Sequence, residues 1–506
     1  MLNAEWKSFK SGTDIRGCAM EGAAGEPVTL TDPVVERMAA GFLLWLSGRG
    51  GKPAAGLTVS VGRDSRLSGP RIRDAVVRAL TAGGARVLDC GMASTPAMFM
   101  TTVDLACDGA VQITASHHPW QRNGLKFFVP EGGLEGTDIE AILEYAQTGE
   151  APPAARGHTE PVDYMTRYAE RLRTLIVEGV AGGSRPLAGF HIVVDAGNGA
   201  GGFYAEQVLK PLGADVAGSQ FLEPDGRFPN HIPNPEDKGA MASVCAAVLR
   251  HRADLGVIFD TDVDRAGLVG PDGREINRNR LVALAAAVAL ETAPGGTVVT
   301  DSVTSRGLRE FIEGELGGRH CRFKRGYKNV IDEGLRLNAA GENCPLAIET
   351  SGHAALRENY FLDDGAYLAT RLIIKAAQLR REGRTLDSLI EKLSEPAESA
   401  ELRFAIREPD FRDYGNAVIG ELEAYARQKG WEVADDSREG VRLSFGPEDG
   451  CGWLLLRLSV HDPVMPLNIE SDVKGGCRRI AEQLAGFMAD KAGLDRTALD
   501  GFLTGE

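Results

Sequence analysis

The sequence predicts an α/β protein of several domains, three alike and a fourth different, and three observations predict it. The chain has 506 residues, too long for one hydrophobic core when domains typically run about 100 to 200 residues. Three stretches share one order of signals: a β-rich run, a helical run, a second strand after Gly, then a third strand ending in a polar loop. After about Ser394 that order gives way to short strands separated by turns, the pattern of an antiparallel α+β domain.

Taken in order, Asp32 followed by Pro33 predicts a helix N-cap with Pro in the first turn, and Val34, Val35, Met38 and Phe42 continue on one face. The first strands of the three repeats fall at Thr58 to Gly62, Ile192 to Asp195 and Thr297 to Asp301. The second strands fall near Ala85 to Leu88, Ala214 to Ala217 and Cys321 to Lys324. The third are Gly109 to Ile113, Leu255 to Phe259 and Leu346 to Ile348, each running into a loop of unusual chemistry. In such sheets ligands collect at the carboxyl ends of strands, where these loops lie. The Pro- and Gly-rich Thr148 to Pro161 reads as a linker, and the Asp272-Gly273 turn after Pro271 marks a second boundary. Beyond Ser394, strands are expected at Val441 to Phe445, Trp453 to Leu458 and Pro466 to Ile469, with a terminal helix at Gly476 to Ala492. The expected domains are therefore 1–155, 156–270, 271–394 and 395–506.

A hydrophobic content of 43% and a charged content of 25% describe an ordinary folded chain. No apolar run, Phe42 to Leu46 included, is long enough to span a bilayer. The segment Met1 to Lys10 carries Glu5, Lys7 and Lys10 and has no signal-peptide core, which predicts a cytoplasmic protein. Eight cysteines (Cys18, Cys90, Cys107, Cys245, Cys321, Cys344, Cys451, Cys477) lack paired spacing. That argues against a disulfide framework and a zinc site and predicts reduced, buried, inert thiols. A formal net charge of −15 excludes non-specific nucleic-acid binding, so an anionic ligand would need cations gathered locally.

The first loop reads Thr114-Ala115-Ser116-His117-His118-Pro119, followed by Asn123-Gly124-Leu125-Lys126. A serine at a strand end, beside a histidine and with a lysine ten residues on, is a candidate covalent nucleophile. A turn or cap serine is the competing reading. The second loop, Asp260-Thr261-Asp262-Val263-Asp264-Arg265, sets three carboxylates at alternate positions. They would repel severely without a cation, which favours a hard-metal site for Mg²⁺ over a solvated acidic turn. It is not an EF-hand, since the sixth position is Arg265 and the twelfth Pro271. The third loop, Glu349-Thr350-Ser351-Gly352-His353, offers carboxylate, hydroxyl and imidazole from one turn, which suits sugar hydroxyls. A structural histidine is its bland alternative.

Cationic segments accompany the loops: Lys324 to Lys328, Arg63 and Arg66 within Gly62 to Ser68, and Arg16 in Gly12 to Gly17. Each is compatible with surface charge, and a dianionic phosphate would give several a common purpose. The glycines Gly197, Gly199, Gly201 and Gly202 approach a dinucleotide fingerprint, but their spacing is wrong and a tight strand-to-helix turn accounts for them.

Together these segments resemble the α-D-phosphohexomutase superfamily, which includes phosphoglucomutases, phosphomannomutases and phosphoglucosamine mutases. The match runs through nearly the whole chain: Gly12 to Gly17, Thr114 to Pro119, Asp260 to Arg265 and Glu349 to His353 resemble its N-terminal, phosphoserine, metal and sugar-binding motifs. The resemblance implies four domains around a central cleft. It implies a phosphoryl group carried by Ser116 and Mg²⁺ held by Asp260, Asp262, Asp264 and a phosphate oxygen on Ser116. Arg265 would steady that phosphate, and Lys126, His117 and Arg16 would serve proton transfer and charge stabilisation. Glu349, Ser351, Gly326, Lys328 and His353 would contact sugar, and Arg457 with Ser459 a distal phosphate.

Two departures stand out. His118 replaces a frequent Asn, and Val460 with His461 replaces the small and hydroxyl residues that usually follow Ser459. The expected reaction interconverts hexose 1-phosphate and hexose 6-phosphate, of glucose or mannose, through a hexose 1,6-bisphosphate that also acts as activator. Glucosamine phosphate is the alternative substrate. The expected protein is a monomer or dimer with no nucleic-acid or membrane partner. Two rival readings are a haloacid-dehalogenase-like sugar phosphatase, from the Asp260-Thr261-Asp262-Val263 string, and a non-catalytic phosphosugar-binding protein.

Overall fold

The computed structural model describes residues 1–22, 25–459 and 462–505. The chain divides into two compact units, Met1–Leu281 with Ser351–Ser388, and Val282–Thr350 with Leu389–Glu506. It is an α/β protein with an additional C-terminal domain.

The first unit holds two mixed sheets. In the larger, Thr58–Arg63 is flanked by the parallel strands Arg86–Met92 and Gly109–Ile113. Arg122–Val129 then pairs antiparallel with both Gly109–Ile113 and Asp14–Cys18. Every residue of Gly109–Ile113 is buried, as expected for a central strand covered on both faces. Beneath it Phe42 and Phe127 stack with centroids 4.5 Å apart, in a core built with Val35, Met38, Val59 and Ile142. In the smaller sheet Ile192–Asp195 and Leu255–Phe259 run parallel, and Ala266–Val269 turns back antiparallel to the latter.

In the second unit Thr297–Thr300 is the middle of three parallel strands, with Arg319–Arg322 and Leu346–Ile348 on either side. Its C-terminal part is a fully antiparallel sheet, Glu398–Ala405, Val464–Ser471, Gly452–Leu456, Val441–Phe445 and Glu432–Val433 in that order. The helices Phe411–Lys429 and Gly476–Met488 pack on it through Val418, Leu422, Ile480 and Leu484.

Several expectations are corrected. The helix that begins at Asp32 is capped from Thr31, and Asp32 lies inside it, where its carboxylate meets Arg71 at 2.5 Å and Arg78 at 3.1 Å. No strand forms at Ala214 to Ala217. Only Asp215 bridges to His191, because side chains take over the backbone donors: Asp215 Oδ1 accepts from Ala217 N (2.9 Å) and Ser219 Oγ from Val194 N (3.0 Å). The last four residues of the Thr148 to Pro161 segment form an edge strand, His158–Pro161, parallel to Arg86–Met92; Pro161 is tolerated there because an edge leaves its missing N–H unneeded. All eight cysteines are free, but Cys245, Cys321 and Cys451 are only partly buried. Among the described residues no helix is long and apolar enough to cross a membrane.

Candidate active site

In the first unit the buried strand Gly109–Ile113 delivers Ser116 at its carboxyl end, and Leu255–Phe259 delivers the acidic loop. Because Ala266–Val269 returns directly antiparallel, the six residues between must turn tightly, and Val263 takes φ +68° with its side chain buried. The backbone around this loop is pressed close. A Cβ on Gly199 would lie 2.5 Å from Thr261 O, and one on Gly365 would lie 2.5 Å from the Arg265 carbonyl carbon. Gly199 of the glycine run thus serves close packing against the acidic loop.

Ser116 has φ +47°, a left-handed conformation that costs a Cβ-bearing residue about 1 to 2 kcal/mol. Its Oγ donates to Asp260 Oδ2 (3.0 Å) and accepts from Arg265 Nη2 (3.0 Å). The same Nη2 donates to His117 Nδ1 at 2.6 Å. Burial, with Arg265 adding to it, pushes the His117 imidazole down to about 2, so it is neutral. Burial and the neighbouring arginines push His118 down to about 3.

Asp260, Asp262 and Asp264 are fully buried, with one carboxylate oxygen from each within 4.8 Å of the others. Burial and the two neighbouring aspartates raise Asp260 well above the usual carboxylate range. Burial opposes ionisation of Asp264 too, yet Lys126 and His353 hold it low. Lys126 Nζ lies 2.5 Å from Asp264 and 3.3 Å from Asp262. Even so, Asp262 Oδ1 and Asp264 Oδ1 accept no hydrogen bond among the described residues. Buried acceptors left open beside a third carboxylate fit a hard divalent cation, whose oxygen ligands they would become.

Arg16 donates to Thr114 O and pairs with Asp14 at 2.7 Å, which ties the strand Asp14–Cys18 to the serine loop. His353 forms a backbone bridge with Arg265, and its Nδ1 meets Asp363 Oδ2 at 2.6 Å. Burial alone would lower its pKa, but Asp363 and Asp264 push it up to about 9. Ser351 is buried nearby in sequence. Ser116, His117, Lys126, Arg16, Arg265, Ser351, His353 and the three aspartates therefore all belong to the first unit.

The remaining expected residues belong to the second unit, whose division from the first falls between Thr350 and Ser351. Glu349 Oε1 accepts from Gly326 N at 2.6 Å, a close approach made by a glycine at φ +117°. Beside it Asp301 is pushed up to about 7 by burial and by Glu349, while Thr350 Oγ1 donates to it at 2.7 Å. Lys328 pairs with Asp332 one turn along its helix. Arg457 leaves the end of Gly452–Leu456, with burial lowering its pKa and its Nε lacking a hydrogen-bond partner among the described residues. Ser459 Oγ accepts from Asp462 N at 3.3 Å. Val460 and His461 lie outside the described residues.

Sequence reasoning missed several supports. Thr95, at the start of the helix Thr95–Asp104, donates its hydroxyl to Asp262 Oδ2 and its N–H to Asp262 O (2.8 Å). Asn234 Oδ1 accepts from Arg265 Nη1 at 3.1 Å, and Asp363 holds His353. Only their long separation from the loops they serve hid them. Arg66, compatible in sequence with surface charge, is instead wholly buried.

Family models described as phosphoglucomutase/phosphomannomutase α/β/α domains I, II and III match residues 10–152, 166–273 and 277–396. The chain is 33% identical over 426 residues to a phosphomannomutase/phosphoglucomutase of Pseudomonas putida, covering 84% of this chain and 86% of that protein. The chain belongs to the phosphoglucomutase/phosphomannomutase family, within the α-D-phosphohexomutase superfamily. A phosphoglucomutase of Neisseria gonorrhoeae is 32% identical over 83% of the chain and 86% of its own length. The crystal structure of a phosphoglucomutase/phosphomannomutase family protein from Burkholderia thailandensis superposes with a TM-score of 0.80 over 98% of this chain and 99% of that one, at 28% identity. Members of this family are mutases, so the chain is an isomerase, and the haloacid-dehalogenase reading of the acidic loop is set aside.

Proposed function

We infer that the protein interconverts hexose 1-phosphate and hexose 6-phosphate by way of phospho-Ser116 and a hexose 1,6-bisphosphate. The observation that carries this reading is Ser116 Oγ at 3.0 Å from Asp260, beside a buried trio of aspartates with open acceptor atoms. Asp260, Asp262 and Asp264, with a phosphate oxygen on Ser116, would hold Mg²⁺, which when bound neutralises charge on the transferring phosphoryl group.

In the forward step the P–Oγ bond of phospho-Ser116 breaks and a bond forms from phosphorus to a free sugar hydroxyl. The hydroxyl proton leaves to a base, and Ser116 regains its alkoxide for the return step. Arg265 already touches Ser116 Oγ, so it steadies the phosphoryl oxygens, while Lys126 and Arg16 spread the remaining charge. As Arg265 turns to the phosphate it frees His117 Nδ1 and withdraws one of the charges that hold this imidazole low, leaving His117 the acceptor for the proton. The bisphosphate then presents its other phosphate to Ser116. Glu349, Ser351, His353, Gly326 and Lys328 contact sugar, and Arg457 with Ser459 takes the distal phosphate. A ligand bound in two orientations favours contacts with hydroxyls common to glucose and mannose, so activity on both is expected, with glucosamine phosphate the alternative.

The test is ³¹P NMR of the purified protein with glucose, mannose and glucosamine phosphates, primed with a hexose bisphosphate. Isomerised sugar without free phosphate is expected. Release of phosphate alone, or binding with no isomerisation by Mg²⁺-replete protein, would sink the reading.

A further inference from the structure

Ser116 sits in a backbone conformation that a serine does not choose, so something must hold it. One buried side chain bonds four carbonyls of the loop. Arg66 is 0% exposed, and its Nη2 donates to Ser116 O (2.5 Å) and His118 O (2.6 Å). Its Nη1 donates to Pro119 O (2.8 Å) and Arg122 O (2.9 Å). Its Nε faces Asp64 at 3.4 Å, and Asp64 also accepts from Arg66 N at 2.9 Å. Four of the five guanidinium N–H groups are thereby hydrogen-bonded to carbonyls, and the fifth, on Nε, makes no hydrogen bond among the described residues but faces the Asp64 carboxylate.

The clamp is itself held from behind. The Arg66 guanidinium lies over the Phe228 ring at 5.3 Å, and a Cβ on Gly226 would come within 2.5 Å of Ser65 O and Leu67 N. Segments 64–68, 114–122 and 225–228 are thus interlocked around one buried cation. We propose that Arg66 is a positioning residue for phosphoryl transfer: it fixes the backbone of the 116–122 loop so that Ser116 Oγ stays aimed at the aspartate trio. The inference rests on the mutase reading above. A planar fork meeting four carbonyls has no substitute in lysine, whose three donors radiate from one atom.

The test compares wild type, Arg66→Lys and Phe228→Leu by hydrogen–deuterium exchange and by steady-state kinetics with a hexose phosphate, primed with bisphosphate. Arg66→Lys is expected to speed exchange in peptides within 114–124 and to lower kcat about 100-fold, the scale of a misplaced reacting group, with KM within about threefold. Phe228→Leu, which removes only the cover, is expected to do the same more weakly, about three- to tenfold in kcat. A purely structural Arg66 would lower the folded fraction and leave kcat per folded molecule unchanged; that result overturns the proposal, as does faster exchange with normal kcat. If Arg66→Lys does not fold, Phe228→Leu decides, and wild-type exchange and kcat in it also overturn the proposal. An inactive wild type would instead count against the mutase reading.

Discussion

The serine–aspartate site of the first unit and the Gly326/Glu349/Arg457 region of the second hold their charges in opposite ways. In the first, side chains cross-link one another: Arg265 joins Asp260, Ser116, His117 and Asn234, and Lys126 spans two aspartates. In the second, Glu349 leans on the backbone of Gly326, and Arg457 keeps a buried Nε with no hydrogen-bond partner among the described residues. Preset geometry suits the place where bonds change, since electrostatic stabilisation there must need no rearrangement. Under the proposed mechanism, a region that accepts a sugar phosphate in two orientations would gain nothing from the same stiffness.

The sharpest way to break this contrast is to remove the reacting atom. Ser116→Ala should lower kcat by about 10⁴-fold or more while the fold is retained, because no other hydroxyl replaces the nucleophile. Intact-mass analysis after incubation with hexose bisphosphate should show no added phosphoryl group. Residual turnover within tenfold of wild type would mean the chemistry lies elsewhere.

Next in size is the metal. Asp262→Asn should reduce kcat roughly 10²- to 10³-fold, the scale of losing one preorganised electrostatic contact. Mg²⁺ at 100 times its Kd should stabilise the wild type by about 2.7 kcal/mol in thermal unfolding. That shift should shrink sharply in Asp262→Asn, and an equal shift in both proteins would remove Asp262 from the metal site.

Arg457→Ala sharpens the other half of the comparison. Losing charge-assisted hydrogen bonds to a phosphate at about 1.5 to 3 kcal/mol should raise KM about 10- to 100-fold, with kcat within about fivefold. Steady-state kinetics checks this. A fall in kcat as large as that of Asp262→Asn would show that Arg457 belongs to the chemistry and that the division between the two regions is false.

What the sequence made legible follows the same line. The runs Gly109–Ile113, Leu255–Phe259 and Leu346–Ile348 are strands at the positions their composition indicates, because a strand buried on both faces is nearly continuously apolar, Gln112 being the one polar residue among them. The alternating carboxylates of Asp260, Asp262 and Asp264 pointed to a cation because their repulsion needs an offset; Lys126 and Arg265 supply part of it, and Asp262 Oδ1 and Asp264 Oδ1 still accept no hydrogen bond among the described residues. Thr95 and Asp363 were not legible. Each lies in an unremarkable local context and acquires its role only through contact with Asp262 or His353. The contacts of Arg66 were hidden for a related reason: its charge was visible, but the four carbonyls that use it belong to a loop some 50 residues away. The Ala214 to Ala217 strand failed where polar side chains competed with the ladder, a contest that propensity alone does not decide.

The smallest effect tests how far the first unit's cross-linking reaches beyond the reacting groups. His231 Nε2 lies 3.0 Å from Asp195 Oδ2, and Asn234, three residues on, holds Arg265. Burial lowers the His231 pKa, but the hydrogen bond and charge of Asp195 outweigh it, so the value stands above the ordinary one. A histidine raised on folding stabilises the protein fully below its unfolded value, near 6.5, and loses that contribution as pH rises through the raised folded value. His231→Asn should therefore cost about 1 to 3 kcal/mol of unfolding free energy at pH 6 and less at pH 9, measured by denaturant titration. If the cost is the same at both pH values, the imidazole acts as a neutral spacer. The rigid network would then end at Arg265 and Asn234 instead of extending to the Asp195 strand.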